Sequence, residues 1–100
     1  GDRLWLLDEP QTALDLPHQQ RLRARLKREG DDGACVVFST HDIKFALRTA
    51  DRLIALRDGA LCADALPEDF ADQQLLQRVF DVPFCIARHP VDGRPWVMAE

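Results

Sequence analysis

An α/β fold built on a parallel sheet is what the order of apolar runs predicts. Two short unbroken runs, Leu4-Trp5-Leu6-Leu7 and Ala34-Cys35-Val36-Val37-Phe38, flank a stretch with helical spacing. Each has the length and continuity of a strand buried on both faces, as strands of parallel sheets are. A third run, Arg52-Leu53-Ile54-Ala55-Leu56, comes after a second, shorter helical stretch. Strand, helix, strand, helix, strand in that order implies right-handed crossovers within one sheet.

Each element has local chemistry behind it. Pro10 stops the first strand, and Asp15 is placed to cap a helix whose early Pro17 needs no intrahelical donor. Leu22 and Leu26, four apart, define its inward stripe, while Arg21, Arg25 and Arg28 share a solvated face. Gly30 and Gly33 close the helix and turn the chain into the second strand. Residues 43–49 form the short second helix. Asp58-Gly59 is a strong hairpin signal, so Ala60-Leu61-Cys62-Ala63 returns antiparallel to the third strand. Beyond Pro67 a one-turn helix opens, and Asp72 begins another with Leu75, Leu76, Val79 and Phe80 inward. Two strands, 83–87 and 95–98, surround a turn at Val91-Asp92-Gly93. The expected organisation is a core of residues 1–65 with a small helix-and-strand appendage at 66–100.

Composition bounds the function. The chain has 100 residues, 46% hydrophobic and 30% charged, with a net charge of −4. This suits a folded domain and gives no basic footprint for a polyanion. Arg21, Arg23, Arg25, Lys27 and Arg28 run on into the acids Glu29, Asp31 and Asp32 and read as a solvated helix face, so no nucleic-acid partner is expected. No apolar run approaches the roughly 20 residues of a membrane helix. Cys35, Cys62 and Cys85 form no CxxC pair and sit among apolar neighbours, so they are expected to be buried free thiols rather than zinc ligands. The chain opens at Gly1 almost directly into a strand, which is the expectation for part of a longer protein.

The chemistry gathers where two strands end. Ligands of parallel sheets collect at the carboxyl ends of strands. The first strand ends in Asp8-Glu9 and the second in Ser39-Thr40-His41-Asp42. If the strands are neighbours, Asp8, Glu9 and His41 converge. An aspartate there suits magnesium, a hard ion that takes oxygen ligands. The next residue points the other way along the pleat, and Glu9 can act as general base on a water. A histidine at the neighbouring strand end can steady a phosphoryl transition state.

The residues around these positions carry a family resemblance. Leu4-Trp5-Leu6-Leu7-Asp8-Glu9-Pro10-Gln11-Thr12-Ala13-Leu14-Asp15 resembles the Walker B motif and D-loop of ABC ATPases. Ser39-Thr40-His41-Asp42 resembles their H-loop, and residues 52–61 resemble the strand and hairpin beyond it. The resemblance spans essentially the whole chain in order. It implies Asp8 as the magnesium-coordinating residue, Glu9 as catalytic base, and His41 as the switch histidine contacting the ATP γ-phosphate. It implies Asp15 as the D-loop aspartate that works across a dimer of two ATPase subunits. One position departs: the Thr or Ser usual after the Asp-Glu-Pro sequence is Gln11 here, outside the groups just named.

The same resemblance implies a partial P-loop NTPase (RecA-like) sheet with flanking helices, lacking the P-loop strand. No G-x-x-x-x-G-K-[ST] run occurs in the 100 residues, and the Q-loop and signature sequence are also absent. The chain alone is therefore expected neither to bind ATP tightly nor to hydrolyse it. The P-loop strand of the family lies between the H-loop strand and the next, so a gap in the sheet is expected there, with poor solution stability or completion by another chain. The tail, with Ala65-Leu66-Pro67-Glu68-Asp69-Phe70, Leu75-Leu76-Gln77-Arg78-Val79-Phe80-Asp81-Val82-Pro83 and His89-Pro90-Val91-Asp92-Gly93-Arg94-Pro95, resembles importers of haem, ferric siderophores and cobalamin, and most of all the haemin group. His89 is read as a turn residue before Pro90 rather than as a haem ligand.

The resemblance thus implies an importer ATP-binding subunit using ATP and Mg2+. It also implies transmembrane permease subunits, a second ATPase subunit in a homodimer, and, indirectly, a periplasmic or cell-surface cargo-binding protein as partners. Its implied place is peripheral, on the cytoplasmic face of the inner membrane. The alternatives are a non-transport ABC-type ATPase, or a non-catalytic interaction fragment because the P-loop is absent.

Overall fold

The computed structural model describes residues 3–100, which divide into two compact units, one ending at Asp42 and one running Ile43–Glu100. In the first unit, β1 (Leu4–Asp8) pairs in parallel with β2 (Cys35–Ser39), in register from Leu4 opposite Cys35 to Asp8 opposite Ser39. The connection is α1 (Leu16–Asp31). Asp15 caps it as the sequence predicts: its backbone is extended and its carboxylate accepts the His18 N–H at 3.0 Å. At the other end Gly33, at φ +95°, takes a left-handed conformation that side chains resist, and its N–H closes on the Gly30 carbonyl at 3.0 Å.

Leu26 is buried on α1 and Leu22 half-buried, and Arg21, Arg25 and Arg28 are exposed. Glu29 on the same helix is also buried, and it is neutralised by Arg3 at 3.2 Å and Arg25 at 2.9 Å. Arg25 in turn lies over the Trp5 ring, 5.8 Å from its centre.

The second unit holds α2 (Ile43–Thr49), the hairpin of β3 (Leu53–Arg57) and β4 (Ala60–Ala65), α3 (Pro67–Phe70), α4 (Gln73–Phe80), and the hairpin of β5 (Phe84–Arg88) and β6 (Pro95–Ala99). Asp58 and Gly59 both have positive φ, +53° and +78°, the pair of left-handed residues a two-residue hairpin turn needs. Leu47, Leu53, Phe70, Leu76, Phe84 and Val97 meet in one apolar core. Asp72 caps α4 through the Leu75 N–H at 2.9 Å. Arg94, between the last strands, donates to the carbonyls of Leu47 (3.0 Å) and Ala50 (2.7 Å) and so satisfies the open end of α2.

Three expectations change. The single parallel sheet is replaced among the described residues by three two-stranded sheets, β1–β2, β3–β4 and β5–β6. Among those residues β2 bonds only β1, and β3 only β4, antiparallel. From Ile43 onward, α2, β3 and β4 share a core with the tail elements. Two-face burial of the strands also fails: Leu4, Leu6 and Val37 lie 62%, 72% and 52% exposed. Finally, Cys35 and Cys85 are exposed and Cys62 half-buried, all as free thiols. Cys35 shares the open face with Leu4 and Leu6. Cys85 sits on a hairpin of which only Phe84, among the β5 residues, is buried.

Candidate active site

The parallel register puts the carboxyl ends of β1 and β2 side by side, so Asp8 and Ser39 are direct cross-strand partners. The Ser39 hydroxyl donates to Asp8 Oδ1 at 2.5 Å. Asp8 is exposed, and its second carboxylate oxygen has no hydrogen-bond partner among the described residues. The pairing continues one residue further, with the Glu9 N–H donating to the Ser39 carbonyl at 3.0 Å and approaching its hydroxyl at 3.3 Å.

Glu9 then leaves the strand with φ at +47°, a left-handed conformation uncommon outside glycine and typical of over-determined sites. Pro10 comes next as the second residue of a turn closed by the Thr12 N–H on the Glu9 carbonyl at 3.1 Å. The turn throws the side chains of Gln11 and Thr12 back onto Glu9. Gln11 Nε2 donates to Glu9 Oε2 at 3.1 Å and Thr12 Oγ1 to the same oxygen at 3.2 Å. The other oxygen, Oε1, faces His41 Nε2 at 3.4 Å. That spacing is looser than a closed N–H···O bond. Glu9 is three-quarters buried, whereas the His41 ring is 98% exposed.

Three of the residues singled out from sequence therefore come together: Asp8, Glu9 and His41. Their carboxylates serve different partners, Asp8 with Ser39 and Glu9 with His41. Asp15 does not join them. Its carboxylate is engaged by the His18 N–H and by His18 Nδ1 at 2.5 Å. The His18 amide, and then its ring, hold the Asp15 carboxyl below the usual carboxylate range. His89 is a hairpin residue: its Nδ1 accepts the Val91 N–H at 3.1 Å and its ring packs on Trp96 with centres 5.1 Å apart.

Sequence reasoning misses Gln11. It falls outside the groups that the resemblance names, yet it is buried against Glu9. The signal is present in Glu9-Pro10-Gln11-Thr12, a turn sequence whose proline pre-sets the second position and brings the third and fourth side chains back toward the first.

Magnesium fits Asp8 in the way that ion is usually bound, through one or two carboxylates with waters and phosphate oxygens completing the shell. One carboxylate oxygen is oriented by Ser39 and the other is open. No group of three or more His, Cys, Asp or Glu ligands occurs among the described residues, so those residues do not supply an all-protein cage.

No family model matches the chain. Among curated proteins it is 39% identical over 100 residues to the hemin import ATP-binding protein HmuV of Rhodopseudomonas palustris strain BisB18, covering all of this chain and 37% of that protein. The namesake from Vibrio vulnificus strain CMCP6 is 37% identical over 99 residues, with 97% of this chain and 38% of that protein covered. The chain thus spans a little over a third of the length of these relatives. In fold it matches a metal-chelate type ABC transporter solved in an inward-facing conformation, with a TM-score of 0.81 at 22% identity, over 98% of this chain and 40% of that one. Over its whole length the chain is thus similar to a part of these hemin import ATP-binding proteins, and that part holds the Asp8-Glu9 strand end and its neighbouring His41.

Proposed function

We propose that this chain supplies the metal-binding and hydrolytic half of an ATP site in an ABC importer that energises uptake of haemin or a ferric-siderophore-like cargo. The observation that carries the reading is the convergence of Glu9 and His41, 3.4 Å apart, beside Asp8 at the ends of two parallel strands. The hemin-import relatives supply the cargo class.

In this reading Asp8, oriented by Ser39, would hold magnesium, which would supply charge neutralisation for the phosphate oxygens. Glu9 takes the proton of the attacking water through Oε1, the oxygen not occupied by Gln11 and Thr12. His41, exposed beside it, donates to the γ-phosphate as charge builds. Asp15, on the loop leading into α1, reaches toward a second ATPase subunit. The β1–β2 pair is then a piece of a P-loop NTPase sheet without its P-loop strand. Transmembrane permease subunits, a homodimeric partner and an indirect cargo-binding protein complete the assembly, at the cytoplasmic face of the inner membrane.

The test is kinetic. In the full-length ATP-binding subunit carrying this sequence, Glu9→Gln should lower kcat for Mg-ATP hydrolysis by about 100-fold or more while nucleotide still binds. Unchanged turnover would remove Glu9 as the base. The isolated 100-residue chain should show no micromolar Mg-ATP affinity in a calorimetric titration, since it has no phosphate-cradling G-x-x-x-x-G-K-[ST] run.

A further inference from the structure

We infer that Gln11 and Thr12 are positioning residues for Glu9: together they hold one oxygen of its carboxylate and so present the other to the reacting water. The inference rests on the reading of Glu9 as general base, and goes beyond it by assigning the residues that aim the base.

Three observations carry it. Gln11 Nε2 and Thr12 Oγ1 both donate to Glu9 Oε2, at 3.1 and 3.2 Å, and neither donates to Oε1. Two donors on one oxygen fix the carboxylate plane and leave the other oxygen toward His41, 3.4 Å away. Second, Gln11 is 5% exposed although its amide oxygen has no partner among the described residues. A buried acceptor without a bond is costly, so a residue kept only for packing would be expected to be apolar. The hydrogen bond this side chain does make is the one to Glu9. Its orientation comes from the same contact, because turning the amide over would set its oxygen against a carboxylate oxygen. Third, Glu9 has left-handed backbone at φ +47°. Neighbouring contacts must hold a non-glycine residue there, and Gln11 and Thr12 are among those that do.

The distinction from a structural role is sharp. Gln11→Met keeps the side chain's length and removes both the donor and the unpartnered oxygen. A packing role predicts equal or greater stability and unchanged turnover. A positioning role predicts a fall in kcat with KM held, because the carboxylate that takes the proton is no longer fixed while nucleotide contacts are untouched.

The experiment measures kcat and KM for Mg-ATP in the full-length subunit bearing Gln11→Met, Thr12→Val or Glu9→Gln. Thr12 is exposed, so its variant folds even if the buried position does not tolerate change. Expected are a loss in kcat of about tenfold for Gln11→Met and about threefold for Thr12→Val, with KM within about twofold of the parent. Unchanged kcat in both, or a rise in KM alone, overturns the positioning role while the collapse of Glu9→Gln keeps the base reading in place. Full activity of Glu9→Gln removes the base reading itself, and the inference with it.

Discussion

At the scale of single residues, Asp15 shows how a capping carboxylate ties stability to pH. The backbone N–H of His18, and then its ring, hold the Asp15 carboxyl below its ordinary value. A carboxylate whose folded pKa lies below its unfolded pKa stabilises the fold above the unfolded value, about pH 4. That contribution disappears as pH falls through the lower, folded value. Asp92 behaves alike. Partial burial is the largest influence on it and pushes upward, but the Arg94 N–H, Arg48 and His89 together outweigh it and leave the group lowered. Asn in place of Asp15 can still accept the His18 N–H but cannot titrate. Urea unfolding of Asp15→Asn should therefore lose less stability than the parent as pH falls below about 4. Parallel curves for the two proteins would mean that the cap does not contribute to acid sensitivity. The loop that ends at this residue marks how far the site is legible in sequence. Asp8, Glu9 and His41 are legible because strand ends are where a parallel pair exposes polar side chains. The contact of Gln11 with Glu9 is not, because it depends on a turn that folds the side chain back by two residues, and hydrophobic patterning does not register a turn of that kind.

At the scale of elements, helices are the most legible parts because caps and spacing speak together. For α4, Asp72 caps, and Leu75, Leu76 and Val79 face inward, with Leu76 wholly buried. Phe80, expected inward, is 36% exposed and instead leans on Phe84, ring centres 5.4 Å apart. Strand positions are equally legible, yet strand partners are not. An apolar run such as 52–56 states that a strand wants cover, but not which neighbour provides its hydrogen bonds. β3 satisfies one edge through the Asp58-Gly59 hairpin and leaves Ile54 and Leu56 60% and 72% exposed. The tail reads as an appendage because its character changes at Pro67. The core that joins Leu47 and Leu53 to Phe70, Leu76 and Val97 is a long-range fact that local composition does not carry. Leu76→Ala should cost about 2–5 kcal/mol of stability in denaturant unfolding, the range for emptying a buried leucine site. A loss below about 1 kcal/mol would show that α4 is not anchored by that side chain.

At the scale of the whole chain, the two units differ in how much apolar surface each removes from water. Among the described residues up to Asp42, Leu26 is the one buried apolar side chain. Trp5, Leu7, Val36 and Phe38 are half-buried, and Leu4, Leu6 and Val37 face solvent. From Ile43 onward, Leu47, Leu76 and Val97 are fully enclosed and Phe70 and Phe84 nearly so. Local opening is governed by such burial, and segments with few buried apolar contacts open at the lowest free energy. Among the described residues the β1–β2 pair also has an unpaired edge on each strand, so its ladder lacks the support a third strand gives. Amide exchange should accordingly be faster in β1 and β2 than in β3, α4 and β6. Replacing Leu6 by Lys should reduce self-association without changing that order, since Leu6 is 72% exposed and contributes patch rather than core. Exchange read by mass spectrometry on the parent and on Leu6→Lys checks both statements. If β1 and β2 proved as protected as α4, at a concentration where sedimentation shows a monomer, burial within each unit would not set its stability. If protection of β1 and β2 instead rose with protein concentration and Leu6→Lys abolished the rise, the open apolar face would be the surface through which copies associate. The candidate site, at the ends of those same two strands, would then be held most firmly when that face is covered.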